Sequence, residues 1–169
     1  MIRRNSMIAT LGLAIAASAV LLYAQDKKPG EEHERKVQES QVPAAAVAAL
    51  KKMAGAAEIM QYEEETEDGE TFYEGSWKTS TGKMEVLVTA QGDLVATEEG
   101  VSVGGVPAAV AAAAKKWAPA GTELRWEKVT EVRYEAKYRA DGKKHELVMT
   151  PTGKTIKTEE KPMKPPAGQ

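Results

Sequence analysis

The chain contains no cysteine. That excludes disulfides, thiolate metal sites, a thiol nucleophile and a lipid-modified cysteine behind an export signal. Histidine occurs only twice, as His33 and His145, and no HExxH pair is present, so no zinc ligand set is visible. No GxSxG elbow surrounds Ser76, Ser80 or Ser102. Gly104-Gly105 ahead of Val106-Pro107 lacks the glycine spacing and lysine of a phosphate-binding loop and reads as a linker. A basic surplus is also missing. Without the first 24 residues, 21 basic residues face 25 acidic ones, a net charge of −4. That balance argues against general nucleic-acid binding.

The apolar run from Met7 to Leu22 follows Arg3-Arg4 and precedes the polar Gln25-Asp26-Lys27-Lys28. A basic start, a short apolar core and a small residue before a polar break predict a signal peptide over 1–24, cut after Ala24. Ala17-Ser18-Ala19 is a second candidate cut. The run is shorter than the roughly 20 residues of a spanning helix, so cleavage is favoured over an uncleaved anchor. Membrane contact is then expected only through this segment before cleavage. Arg3-Arg4 also hints at the twin-arginine route, but the residues after the pair fit that motif poorly. A cysteine-free exported chain must be held by its core alone or by pairing its two halves.

Two halves are indeed legible. Val42-Pro43-Ala44-Ala45 is answered by Val106-Pro107-Ala108-Ala109, Lys51-Lys52-Met53 by Lys115-Lys116-Trp117, and Tyr73-Glu74-Gly75-Ser76-Trp77 by Tyr134-Glu135-Ala136-Lys137-Tyr138. Glu85-Val86-Leu87-Val88-Thr89 pairs with Glu146-Leu147-Val148-Met149-Thr150, and Gly92 with Gly153. A period of about sixty residues is one supersecondary unit used twice, here over 42–100 and 106–160, joined by 101–105. Residues 25–41 carry almost no apolar pattern and read as a flexible lead-in. The proline-rich 161–169 reads as a disordered tail.

Each copy opens on a proline suited to the first helical position, with helices ending near Met53 and Trp117. Ala46, Leu50 and Met53 match Val110, Ala114 and Trp117, one helical face in each copy. Trp117 is therefore expected to be the main apolar plug between helix and sheet. Alternating residues between Xaa-Gly turns predict four strands per copy. They are placed at about 57–66, 70–79, 83–90 and 93–99, then at about 122–129, 132–139, 144–150 and 154–159. The first hairpin of the second copy lacks a glycine turn. The expected fold is α+β: two tandem α-β-β-β-β repeats forming one antiparallel sheet with both helices on one face.

This pattern resembles the PepSY-like family, also described as beta-lactamase-inhibitor-protein-like. The likeness rests on Val42-Pro43 and Val106-Pro107, on Tyr73 and Tyr134, and on Gly92 and Gly153. It covers residues 42–160. It implies an exported, non-enzymatic protein with an inhibitory or protein-binding role.

The residues themselves offer little catalytic chemistry. His145 faces the position of Met84 in the first copy and reads as a packing or surface residue. The acidic run Glu63–Glu70 lacks the spacing of a calcium loop and reads as a charged hairpin whose acids face solvent. The aromatic set Tyr73, Trp77, Trp126, Tyr134 and Tyr138 is either core, the safer reading, or a platform for a partner. The expected function is an exported binding module that contacts an envelope protein or peptide through its sheet. The alternative is a carrier of a small molecule or of an ion such as calcium. No cofactor, metal or catalytic residue is expected, and an enzyme is disfavoured.

Overall fold

The computed structural model describes residues 33–163. The signal segment and residues 164–169 of the tail lie outside the described residues. The strands are β1 (His33–Val37), β2 (Gln61–Glu67), β3 (Glu70–Lys78), β4 (Lys83–Thr89), β5 (Leu94–Val101), β6 (Trp126–Glu131), β7 (Tyr134–Ala140), β8 (Lys143–Met149) and β9 (Thr155–Pro162). The helices are α1 (Ala44–Ala54) and α2 (Ala108–Ala114). All strand pairs are antiparallel. The class is α+β, but the single expected sheet is two: a six-stranded one in the order β1 to β6 and a three-stranded one in the order β7 to β9.

Backbone conformation explains the break. The β2–β3 hairpin turns through Asp68 and Gly69, both at positive φ (51° and 82°). A two-residue hairpin loop needs that hand of turn. The strand registers locate the same places in the second copy. β6 pairs β5 with Trp126 opposite Val101, as β2 pairs β1 with Tyr62 opposite Val37, so Thr130-Glu131 answer Thr66-Glu67 and Val132-Arg133 stand where Asp68-Gly69 stand. Neither Val132 nor Arg133 is at positive φ, and the β-branched Val132 is strongly disfavoured there. The chain therefore does not turn back at this point. β6 pairs with β5 instead, and β7 starts a new sheet with β8. The β4–β5 and β8–β9 hairpins, which keep Gly92 and Gly153, are alike. Thr89 N–H donates to the Asp93 carbonyl at 2.9 Å, and Thr150 N–H to the Lys154 carbonyl at 2.9 Å.

The core lies between α1 and the six-stranded sheet. Val42, Ala46 and Leu50 pack on Tyr62, Trp77, Val86 and Val88. Leu50 is seated on Gly75, where an added Cβ would lie 3.2 Å from both leucine methyl carbons. Ala46 and Leu50 face inward as expected, whereas Met53 is 41% exposed. Gly92 lies against α1 at φ +87°, and a Cβ there would approach the Ala45 carbonyl oxygen to 2.7 Å. Gly92→Ala is expected to lower stability by about 1–3 kcal/mol through overpacking and backbone strain, read as a reduced urea midpoint with an unchanged slope.

The second copy closes no comparable core. None of the residues of α2 is buried, and Trp117, the expected plug, is 90% exposed. The Leu50–Gly75 contact is replaced in sequence by Ala114 and Ala136, a pairing with far less apolar surface to bury. Two more expectations are corrected. The lead-in is not flexible along its whole length, since His33–Val37 is an edge strand on β2. Strand pairing uses the backbone alone, so an almost wholly polar segment joins a sheet. Arg35 makes two bonds to Glu64, at 2.9 and 2.8 Å. Glu39 accepts from Lys51 at 2.6 Å and from Tyr62 at 3.1 Å. At the other end Lys161 and Pro162 belong to β9 rather than to a disordered tail.

Candidate functional site

The aromatic set divides. Trp77 is buried in the α1 core, and Tyr73 packs half-buried against it. Trp126 lies half-buried on β6, opposite Val101. Tyr134 and Tyr138 are 56% and 48% exposed on β7. The first two are core, as the safer reading has it, and the last two are accessible.

Alternation gives the three-stranded sheet two unlike faces. One carries Tyr134, Ala136 and Tyr138 from β7, paired with Met149, Leu147 and His145 from β8. Tyr138 and His145 stack with ring centroids 4.6 Å apart and planes within 5°. His145 Nδ1 lies 3.5 Å from Glu160, and its Nε2 3.3 Å from the Ala140 carbonyl oxygen. The other face is charged, and a cleft lined by Lys137, Arg139, Lys144, Glu146, Glu159 and Lys161 also takes in Tyr138 and His145. Bonds from Lys157 and Lys161 hold the Glu159 carboxyl down at about 2. By the sequence match, the aromatic face is the counterpart of the face that α1 covers in the first copy. α1 seats on β3 and β4, whereas α2 buries none of its own residues.

A second feature lies on the six-stranded sheet, on the face away from α1. Glu63 stands directly opposite Glu74 on β2 and β3, and Glu85 opposite Glu98 on β4 and β5. Phe72, Leu87 and Ala96 form a small apolar cluster there. Glu63 and Glu65 are buried rather than solvent-facing, which corrects the reading of the acidic run. Burial, and then the charges of Glu85 and Glu63, raise the Glu74 carboxyl to about 9. Glu98 is raised as well, by burial and by Glu85. Lys83, ion-paired with Glu85, partly offsets this. The buried Ser76 hydroxyl makes no hydrogen bond. Among the described residues no group of three acids or histidines has the spacing to hold a metal ion. The gathering of acids was readable in principle. The two-residue turn at Asp68-Gly69 fixes the register, and the register places Glu63 opposite Glu74.

No family model matches the chain, and no curated protein matches it. Solved structures do. One is a periplasmic protein of Bacteroides eggerthii, 19% identical over 70% of this chain and 88% of its own, with a TM-score of 0.43. Another is a DUF2874 family protein of Bacteroides uniformis, 22% identical over 70% and 89%, with a TM-score of 0.40. A third, from Bacteroides thetaiotaomicron, is named as a calcium-regulated periplasmic protein; it is 16% identical over 75% and 96%, with a TM-score of 0.33. None of the three bears the PepSY-like or inhibitor-like name.

Proposed function

We propose that the protein is an exported, non-enzymatic binding module that holds an apolar protein segment on the aromatic face of its three-stranded sheet. One observation carries this reading. Tyr134 and Tyr138 stand exposed beside Ala136, Leu147 and Met149, on the face whose counterpart in the first copy is covered by a helix. Tyrosine offers a large rigid contact area at small entropic cost, and a preformed sheet adds little ordering cost of its own. The Tyr138–His145 stack fixes one ring of the platform before any partner arrives. Export rests on Arg3-Arg4 and the apolar run after it, and the similar structures from Bacteroides eggerthii and Bacteroides thetaiotaomicron are also named periplasmic. The non-enzymatic reading rests on a sequence with no nucleophile–base pair.

Immobilised protein offered an envelope extract is expected to retain a discrete species. Tyr134→Ser with Tyr138→Ser should reduce that capture at least tenfold, because truncating central aromatic anchors costs about 2 kcal/mol or more each. Both side chains lie outside the α1 core, so the melting of the six-stranded sheet should be unchanged. Equal capture by the double variant would remove this face as the binding site.

A further inference from the structure

We propose that the segment seated on this face belongs to a second copy of the same chain, in a reciprocal strand exchange; the inference rests on the reading of the aromatic face given above. Four observations converge on it. First, β6 ends the six-stranded sheet and β7 begins the three-stranded one, so each presents an outer edge with no strand on it among the described residues. Second, the first copy shows what those edges accept, because its matching strands β2 and β3 pair with each other. Third, Val132 and Arg133, the two residues that join β6 to β7, replace the positive-φ pair Asp68-Gly69, and neither is at positive φ. Closing β7 onto its own β6 through them would force the β-branched Val132 into the left-handed region. Fourth, α2 and the aromatic face are both uncovered, and the first copy shows that such a helix and such a face belong together.

A two-fold pair satisfies all four at once. β7 of one copy docks on β6 of the other and continues the existing β1–β6 ladder into a nine-stranded sheet. The partner's α2 then lies over β7 and β8, with the partner's Val110 and Trp117 toward Tyr134 and Tyr138. The connection through Val132 and Arg133 then has no need to turn back. The exchange would surrender the exposed Lys154–Asp68 ion pair, worth little in water, and the bond from Val132 N–H to the Val95 carbonyl. Exchange of this kind is a low-cost route to a dimer, and an uncovered strand edge is an invitation to it. An envelope partner would compete with α2 for the same face.

The chain has no cysteine, which makes the test clean. In the first copy Glu63 stands opposite Glu74; the matching positions are Glu127 and Glu135. Glu127→Cys and Glu135→Cys are made as separate variants, mixed after brief unfolding and refolding, and oxidised. Exchange predicts a mixed disulfide between the two variants well above either self-pair, and a dimeric mass by light scattering for the unmodified protein. Val132→Asp with Arg133→Gly restores the hairpin turn and should shift the mass to monomer while α1 and its sheet still melt cooperatively. An unmodified protein that stays monomeric at every concentration, with no mixed disulfide, overturns the proposal. If capture from the envelope extract still fails in the Tyr134→Ser, Tyr138→Ser variant of such a monomer, the binding-face reading stands and only the identity of its occupant falls.

Discussion

Trp77→Ala is expected to cause one of the largest losses of stability of any single truncation in this protein, about 3–5 kcal/mol. Trp77 is 6% exposed and belongs to the cluster formed by Leu50, Tyr62, Val86 and Val88. That cluster lies between one short helix and one sheet, and neither has another apolar layer to shift into the void. Leu50 already fills the dent over Gly75, so it cannot slide to close the gap. A loss of this size is a large part of the 5–15 kcal/mol that holds a typical domain. The urea midpoint should fall sharply or cooperative unfolding should vanish. Trp117→Ala, at 90% exposure, is the matched control and should leave the melting of the first sheet unchanged. A Trp77→Ala protein that melts like the parent would mean that α1 does not cover β3 and β4.

The second large effect is on pH dependence. The Glu74 carboxyl is raised to about 9 by burial and by Glu85 and Glu63, so at neutral pH the folded protein holds a proton that the unfolded chain has released. Stability from that proton is fully present below the ordinary carboxylate value and is lost as pH rises through about 9. Across pH 5 to 9 the parent should weaken, by an amount on the order of a few kcal/mol, since each pKa unit corresponds to about 1.4 kcal/mol. Other groups also contribute to the pH dependence of the parent, so the informative quantity is the difference between parent and variant. Glu74→Gln carries no charge to bury. It should be more stable than the parent at pH 8, with the two converging near pH 4.5. Parallel stability curves from pH 5 to 9 would show that Glu74 is ionised and solvated in the folded state.

Much of the local structure was written in short stretches of sequence. Pro43 and Pro107 mark the helix starts. The glycines at 69, 92, 142 and 153 sit at positive φ in the hairpin turns. The facing pair Ala46 and Leu50 was readable from helical spacing and is buried. The third member of the first series failed because the helix face in contact is narrower than three turns of spacing imply, whereas none of the second series, Val110, Ala114 and Trp117, is buried and α2 ends before Trp117. Met53 is half-exposed and Trp117 almost wholly so. Of the aromatic set, strand alternation identified the face but not its cover. Tyr73 and Tyr134 occupy matching strand positions, yet only the first lies against the α1 core. The buried glutamates were missed because a run of acids was read as solvent-facing, although the register set by the Asp68-Gly69 turn brings Glu63 and Glu74 face to face.

The sequence by itself determined what depends on neighbouring residues: where helices begin, which turns can take the left-handed backbone, which side chains share a face of a strand. Those properties follow from local sterics and a fixed period, and they need no knowledge of the rest of the chain. Tertiary structure alone decided which strand lies beside which. It placed the polar His33–Val37 on β2, gave β6 to β5, and left β7 to start a sheet of its own. Strand partners are joined through backbone N–H and C=O groups that every non-proline residue carries alike. Side-chain patterns therefore do not name the partner, and a single missing turn at Val132-Arg133 is enough to separate two nearly repeated sequences into two sheets.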